Sequence, residues 1–282
     1  MMAGEIKFSE SIYPKLLKNI PNPPSNLYFK GNFCEEIFEN CVAIVGSRNM
    51  SFYGKKVVEK FLSVFSKNIT IVSGFMMGVD AESHRQAIKF GLKTIAVMPC
   101  GVDYIHPEDQ VGLYNDILSN NGMVISEYKG DFKPRIWTYP RRNRIVAGLS
   151  KAVIVVEAAK NSGSLITARI ANSYGKEVFA VPGNIFSNLS LGKVQILNEF
   201  AKAIDSGFYI NKKLGLKSNQ DIVGNSSFGS ESPILKTLND NPMTVNELSE
   251  CLEIGISNLS TQLTLLSIDG EVKERGGKFY AC

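Results

Sequence analysis

The sequence predicts an α/β fold, with a doubly wound, Rossmann-like and mostly parallel sheet, followed by a small C-terminal winged-helix domain. Short apolar runs, typical of strands buried on both faces, alternate with longer segments whose apolar residues recur at helical spacing. Small turns rich in glycine and serine separate them. Because strands that alternate with helices pair in parallel through right-handed crossovers, this part should form one sheet. Towards the C-terminus the alternation stops, and three short helical patterns precede a hairpin pattern.

The N-terminal extension, residues 1–30, becomes rich in proline and should pack onto the domain that follows. We expect residues 27–31 to form an edge strand. The Rossmann-like domain is predicted at 31–210. Its first helix shows the basis of the assignments, since its apolar residues fall at positions 57, 58, 61, 62 and 65. The predicted strands are 42–45, 69–72, 94–98 and 123–126, and the predicted helices are 53–66, 79–90 and 108–120.

A strongly basic stretch follows between residues 129 and 151, and we expect it to form a loop. It holds seven basic side chains against one acid, Asp131, with Phe132, Trp137 and Tyr139 interleaved among them. The basic residues are Lys129, Lys133, Arg135, Arg141, Arg142, Arg144 and Lys151. Beyond this stretch the predicted elements are a strand at 152–156, a helix at 164–174, a strand at 178–181 and a helix at 191–204.

Residues 211–232 are rich in serine, asparagine and glycine, which predicts a linker. The winged-helix domain is predicted at 233–282, where Thr244 and Glu247 have the spacing of a helix capping box. Its expected helices are 233–239, 245–252 and 257–268, and its hairpin turns at Gly276-Gly277. The third helix contains no lysine or arginine with which to read duplex DNA. We therefore favour a protein-interaction or residual role for this domain.

The composition is that of a soluble globular protein, since 44% of the residues are hydrophobic and 21% are charged. The net charge of +4 permits an acidic partner without requiring one. The five cysteines form no Cys-x-x-Cys pair, which argues against a disulfide framework and a metal site. We see neither a signal pattern nor an apolar run of roughly eighteen residues. We expect a cytoplasmic protein that does not associate with membranes.

In doubly wound sheets, ligands bind beyond the carboxyl ends of the strands. The sequence places Gly46-Ser47-Arg48 after one strand and Ser162-Gly163-Ser164 between a strand and a helix. The second turn should point backbone N–H groups at an anion, which the positive end of the helix would stabilise. Neither a Gly-x-Gly-x-x-Gly nor a Walker A motif is present, which argues against an NAD enzyme or a P-loop ATPase. We expect no cofactor.

Basic residues, aromatic residues and an anion-binding turn together indicate nucleic acid. Arg48 follows a strand end and should face the crevice, where it can contact phosphate. Arg142 and Arg144 flank Asn143, and an arginine fork suits phosphate oxygens while asparagine can brace the backbone. The basic stretch and the turn at 162–164 should therefore form one binding site.

Several short motifs follow one another along the chain. They are Gly46-Ser47-Arg48, Ser73-Gly74 with Gly78-Val79-Asp80, Gly101-Val102-Asp103, Ser126-Glu127-Tyr128, Tyr139-Pro140 with Arg142-Asn143-Arg144, and Ser162-Gly163-Ser164-Leu165-Ile166-Thr167-Ala168. In this order they resemble the DprA (Smf) family of DNA-processing proteins. The resemblance implies a non-enzymatic protein that binds single-stranded DNA and loads the recombinase RecA onto incoming DNA during natural transformation. It also implies a homodimer formed through the Rossmann-like domain.

The resemblance further implies that Tyr139 touches a base, and a stacked base contributes roughly 1–3 kcal/mol. The residues expected to contact DNA come from both sides of the crevice. They are Gly46, Ser47, Arg48, Tyr139, Arg141, Arg142, Asn143, Arg144, Lys160, Ser162, Gly163, Ser164 and Thr167.

The alternative is a nucleotide-processing enzyme that resembles the LOG-type phosphoribohydrolases on a related fold. Glu157 or Glu127, which end strands near the crevice, would then act with an arginine in the chemistry. Those enzymes carry a pattern similar to Pro-Gly-Gly-x-Gly-Thr-x-x-Glu at the corresponding turn. This chain has Ala168 where the glutamate is needed. The missing acid favours a protein without catalysis.

Overall fold

The computed structural model describes residues 2–218, 233–268 and 270–281. These residues divide into two compact units, of which the first ends at residue 218 and the second begins at residue 233. The linker predicted at 211–232 lies outside the described residues from position 219 onward. Its first residues belong to a helix, Phe208–Lys213, that begins before it.

The first unit contains one mostly parallel sheet. Its strands are β1 (Met2–Lys7), β2 (Asn26–Gly31), β3 (Cys41–Val45), β4 (Thr70–Ser73), β5 (Lys93–Val97), β6 (Met123–Ser126), β7 (Ala152–Val155), β8 (Glu177–Ala180) and β9 (Lys202–Ala203). Among the described residues their order is β1-β2-β6-β5-β4-β3-β7-β8-β9. Neighbours from β6 to β9 are parallel, whereas β2 pairs antiparallel with both β1 and β6. The predicted sheet is confirmed.

Helices cover both faces of this sheet. They are α1 (Lys15–Lys18), α2 (Phe52–Val64), α3 (Val79–Lys89), α4 (Val111–Ser119), α5 (Thr138–Leu149), α6 (Gly163–Ser173), α7 (Asn188–Glu199) and α8 (Phe208–Lys213). In β3, Ala43 and Val45 pack into one hydrophobic cluster, and Val42 and Ile44 pack into another. Successive strand residues point to opposite faces, so an unbroken apolar run is stable only between two layers of helices.

The chain changes direction across the sheet between β3 and β7. From β3 it proceeds through β4 and β5 to β6 on one side, and then crosses to β7, β8 and β9 on the other. The two strands are parallel neighbours, with Val45 opposite Val155, so their carboxyl ends lie side by side. The helices that follow diverge there and leave a crevice, which is where open α/β sheets bind ligands.

The basic stretch between residues 129 and 151 is not the loop that we expected, because residues 138–149 form α5. The apolar residues Ile145, Val146 and Leu149 lie towards the end of this helix, so helical spacing is weak over its basic first half. Pro140 does not prevent the helix, since the N–H groups of a first turn have no helical acceptor.

Both edges of the sheet also differ from expectation. The strand predicted at 27–31 is not at the edge, because β1 pairs outside it. Only Ile6 is buried in β1, so no alternation marks that strand in the sequence. At the other edge, the helix predicted at 191–204 ends at Glu199, and residues 202–203 form β9. Ser187 caps this helix and starts it before its apolar pattern begins.

The second unit contains three helices and a hairpin. They are α9 (Pro233–Asp240), α10 (Val245–Leu252), α11 (Ile256–Ile268), β10 (Val272–Arg275) and β11 (Lys278–Ala281). The predicted capping box is present, since the Glu247 N–H donates to Thr244 Oγ1 at 3.3 Å and Glu247 Oε2 accepts the Thr244 N–H at 2.7 Å. The assignment of this unit to the winged-helix class stays a prediction. No helix in the described parts of the chain is long and apolar enough to cross a membrane.

Candidate functional site

A cavity of about 430 Å³ lies beyond the carboxyl ends of β3 and β7. Its walls are the turn after β3, the turn between β7 and α6, and the first turns of α5. Most residues predicted to contact DNA line it. They are Gly46, Ser47, Arg48, Tyr139, Arg142, Asn143, Ser162, Gly163, Ser164 and Thr167. The fold therefore brings both predicted turns and the first turns of α5 to one place, and Arg142 is the one member of the seven basic residues at 129–151 that lines the cavity.

The turn before α6 is held by its own serines. Ser162 is the N-cap, and its Oγ accepts the N–H of Ser164 at 3.4 Å and lies 2.7 Å from Ser164 Oγ. The N–H of Ser162 donates to the Ala159 carbonyl at 3.0 Å. Of the three N–H groups that we expected to face a phosphate, only that of Gly163 has no acceptor within the described residues. Because one of the two hydroxyls donates to the other, one N–H, one hydroxyl and the helix dipole are available for an anion.

Arg48 is a cation of the cavity whose charge also acts on the buried carboxyl of Asp80. Its side chain is exposed, and it forms no ion pair within the described residues. Its guanidinium carbon lies 5.6 Å from the centre of the Tyr139 ring, a cation–π distance. The turn that carries Arg48 is fixed, because Gly78 adopts a φ of 77° and a Cβ there would collide with the carbonyl oxygens of Ser47 and Arg48. The close approach of α3 therefore requires glycine at residue 78.

Tyr139 is half-buried and anchored at its hydroxyl end. Its hydroxyl oxygen lies 2.8 Å from His106 Nε2, and the two rings meet edge to face with centroids 6.1 Å apart. Burial raises the pKa of the Tyr139 hydroxyl. The ring, which lines the cavity, is thus anchored by its contacts with His106. Nothing in the sequence indicates this role for His106, whose partner lies 33 residues further along the chain.

Arg142 lines the cavity but is buried, with 4% of its surface exposed. Its Nη1 donates to the carbonyl oxygens of Gly74 and Val97, which follow β4 and end β5, and its Nε donates to Asn143 Oδ1 at 3.2 Å. Burial lowers the pKa of the guanidinium. Asn143 in turn donates from Nδ2 to the Gly163 carbonyl at 3.4 Å. This chain of hydrogen bonds links two strand ends to α5, and α5 to the turn before α6.

Asp80 is the one acid among the residues that line the cavity. It lies in the first turn of α3, it is buried, and its Oδ2 accepts the N–H of Met76 at 3.4 Å. Burial raises the pKa of this carboxyl, and nearby Arg142 acts in the opposite direction. A Cβ at Gly74 would lie 2.5 Å from Asp80 Oδ2 and 2.7 Å from Arg142 Nη2. Glycine at residue 74 therefore leaves room for both side chains against the backbone there.

Three predicted contact residues, Arg141, Arg144 and Lys160, do not line the cavity. Arg141 and Arg144 lie three residues apart, on another side of α5, where both pair with Glu127. The Arg141 Nη2 to Glu127 Oε1 distance is 3.0 Å. Lys160 is exposed on the turn after β7. Basic character alone does not separate these cations from Arg48.

The two glutamates of the enzyme alternative are held by other groups. Glu157 is buried and accepts hydrogen bonds from the N–H of Ser51, at 2.9 Å, and from its hydroxyl. Because Ser51 is the N-cap of α2, the carboxylate lies at the positive end of that helix. Neither Glu157 nor Glu127 lines the cavity. Across the described residues, no group of three or more His, Cys, Asp or Glu side chains is placed to hold a metal ion.

Known proteins resemble this chain over most of its length. Residues 5–215 match the model of the family described as DNA recombination-mediator protein A. The DNA processing protein DprA of Bacillus subtilis is 40% identical over 210 residues, which cover 74% of this chain and 70% of that protein. The crystal structure of DprA from Streptococcus pneumoniae is 36% identical with a TM-score of 0.69, and the match covers 80% of this chain and 75% of that one.

A structure of DNA processing protein A from Helicobacter pylori, which gives insights into its single-stranded DNA binding mode, is also similar. It is 31% identical with a TM-score of 0.64, and the match covers 72% of this chain and 93% of that one. The family match begins in β1 and ends just after α8, so it includes every segment that borders the cavity. This chain belongs to the DNA recombination-mediator protein A family.

Proposed function

We propose that this protein binds single-stranded DNA in the cavity between β3 and β7. The observation that carries the proposal is Arg48, which has no ion pair among the described residues and lies above the Tyr139 ring in the cavity that the start of α6 also lines. A free cation, an aromatic face and a helix N-terminus suit a phosphate with its base. The likeness to the Helicobacter pylori protein, whose structure concerns single-stranded DNA, supports the proposal.

The same geometry favours a single strand over a duplex. One phosphate would lie between the Arg48 guanidinium and the N–H of Gly163, with the hydroxyls of Ser162 and Ser164 beside it. The attached base would then stack on Tyr139. In a duplex the faces of the bases are already stacked on one another, so Tyr139 would lose its partner.

The remaining predicted contacts differ in their availability. The guanidinium of Arg142 already donates to backbone carbonyl oxygens, so we propose that it supplies fixed positive charge and positions the cavity wall. Arg141 and Arg144 would have to exchange Glu127 for a phosphate. The sequence predicts direct contacts by these two residues and by Lys160, but the ion pairs with Glu127 make a contact by Arg141 or Arg144 less favourable than one by Arg48.

We further propose that the protein acts as a recombination mediator that loads RecA onto incoming DNA during natural transformation, and that it does so in the cytoplasm. The family to which the chain belongs supports a role in recombination. A homodimer through the Rossmann-like domain is part of the proposal. Exposed apolar side chains before and within α7, at Ile185, Phe186 and Leu191, support a protein–protein surface on this domain.

We also propose that the protein acts without catalysis. The carboxylates that a phosphoribohydrolase would use, Glu157 and Glu127, are engaged with Ser51 and with two arginines. Release of free base from a nucleoside monophosphate, abolished by Glu157→Gln, would favour the enzyme alternative instead.

The DNA-binding proposal is tested by fluorescence-anisotropy titration of labelled oligo-dT and a matched duplex at several salt concentrations. Arg48→Ala should weaken single-strand binding about tenfold and reduce the slope of log affinity against log salt by about 0.7, the value for one phosphate contact. Arg85→Ala is the matched control, since Arg85 is exposed on α3 outside the cavity lining. Equal affinity of the wild type for both DNAs, or binding that salt does not weaken, would contradict the proposal.

RecA loading is tested separately, because it is a further step. The wild type should accelerate RecA filament formation on single-stranded DNA, whereas Arg48→Ala should lose this effect in proportion to its loss of binding. A wild type that binds DNA but leaves RecA assembly unchanged would contradict the mediator role and leave the DNA site intact.

A further inference from the structure

The hairpin of the second unit has one face that is almost entirely cationic. Across its two strands Lys273 is paired with Tyr280, and Arg275 is paired with Lys278. Side chains opposite each other, and side chains two residues apart on one strand, point to the same face of a sheet. These four side chains therefore share one face, which we term the outer face, and all four are exposed.

The opposite face of the hairpin fixes this orientation. Val272 is buried in the hydrophobic cluster of the second unit, and Phe279 packs against that cluster. The backbone of Phe279 also bonds to Met243, with N–H to carbonyl distances of 2.8 and 3.3 Å in the two directions. Because the apolar side is held in the core, the outer face must point towards solvent.

The positive charge of the outer face is offset only in part, by Glu247 beside Lys278. Within the described parts of the chain, Lys273, Arg275 and Lys278 form no ion pair. Hydrogen bonds with Thr244 lower the pKa of the Glu247 carboxyl, and the charge of Lys278 adds to this effect without an ion pair. Residues two apart on a strand are about 6.8 Å apart, so the cations are spread along the face. Such a surface suits a polyanion.

We propose that the outer face of this hairpin binds single-stranded DNA, with its three cations on phosphates and Tyr280 stacked on a base. A cationic track with an aromatic side chain is typical of proteins that hold single strands. Duplex DNA fits less well, because α11, the helix that a winged helix would place in a groove, carries no lysine or arginine. The residues of this site belong to the second unit, and none of them lines the cavity of the first.

The test uses the full chain and a triple variant, Lys273→Gln, Arg275→Gln and Lys278→Gln. A long labelled oligo-dT and a matched duplex are titrated by fluorescence anisotropy over a series of salt concentrations. The variant should bind the single strand about tenfold more weakly or worse. Its salt slope should fall by about 2, since each phosphate contact to a single strand contributes about 0.7.

A matched control removes the same charge elsewhere. The variant Lys7→Gln, Lys15→Gln and Lys60→Gln changes three exposed lysines of the first unit, and it should bind nearly as the wild type does. Lys273→Arg with Lys278→Arg keeps the charge and should also preserve binding. Tyr280→Ser should weaken binding about fivefold without changing the salt slope, because stacking releases no counterions. Thermal melting checks that each variant is folded.

Two outcomes would overturn the proposal. The first is a hairpin variant that matches the lysine control in affinity and slope, and the second is a loss of binding confined to the duplex. Arg48→Ala, measured in parallel, separates this site from the cavity. Loss of binding in the hairpin variant alone would support this site and contradict the cavity proposal, whereas loss in Arg48→Ala alone would overturn this site.

Discussion

Helix α5 carries three arginines within four residues, and its sides hold them in different ways. On the side that faces the cavity, Arg142 is buried and donates to backbone carbonyl oxygens. On another side, Arg141 and Arg144 share the carboxylate of Glu127. A concentration of positive charge in a sequence therefore does not show which cations are available to a ligand. The ion-pair and hydrogen-bond partners of each cation determine whether it is available. Arg48 is available because it forms no ion pair with a carboxylate among the described residues.

The arginines also differ in what their removal should cost. A buried guanidinium needs hydrogen-bond acceptors, and the acceptors in turn lose their donor if the side chain is removed. An exposed ion pair contributes only about 0–1 kcal/mol, because water and salt screen both charges. We therefore expect removal of Arg142, on the cavity side of α5, to lower the free energy of unfolding strongly, and removal of Arg141 to lower it only slightly.

The largest effect is expected for Arg142→Ala. The carbonyl oxygens of Gly74 and Val97 would be left without this donor in a buried place, and the lost side chain would leave a void. Together these should lower the free energy of unfolding by about 2–5 kcal/mol. Urea denaturation followed by circular dichroism measures it. Arg142→Lys keeps the positive charge but loses the planar guanidinium. Its free energy of unfolding should lie between those of the wild type and Arg142→Ala. A loss below about 0.5 kcal/mol would show that the arginine does not hold the strand ends.

An intermediate effect is expected for Tyr139→Ala, which alters the cavity side of α5 without removing a charge. Single-strand affinity should fall five- to tenfold, roughly 1 kcal/mol, while the salt slope stays that of the wild type. Tyr139→Phe is the matched control, since it keeps the ring and loses only the hydrogen bond to His106. Anisotropy titration of oligo-dT measures both variants. Unchanged affinity in Tyr139→Ala would exclude stacking on this ring.

What the sequence could predict depends on how local each feature is. The apolar residues of β3 predict a strand covered on both faces, because every residue of such a strand is buried and therefore apolar. The turn at 162–164 is predicted on similar grounds, since it lies between an apolar strand and a helical pattern. Ten of the predicted contact residues line one cavity. They meet there because the strand order brings the carboxyl ends of β3 and β7 side by side, where the chain changes direction across the sheet.

The features that the sequence does not predict are pairings between distant residues. Glu127 and Arg144 are 17 positions apart, and His106 and Tyr139 are 33 apart, so no period of a helix or strand connects them. The outer face of the hairpin is a similar case. Its four residues alternate with others along each strand, and only the register places Lys273 beside Tyr280. Before that register is known, the absence of cations in α11 makes the unit look unsuited to DNA.

The smallest effect is expected for Arg141→Ala. The side chain is 53% exposed, it pairs with a glutamate that also binds Arg144, and it does not line the cavity. Single-strand affinity should change less than twofold, and the free energy of unfolding should change by no more than about 0.5 kcal/mol. Anisotropy titration of oligo-dT measures the affinity, and urea denaturation measures the free energy of unfolding. Arg48→Ala is the reference for a cation that binds DNA. A tenfold loss of affinity would show instead that Glu127 releases Arg141 to a phosphate and that the DNA path extends around α5.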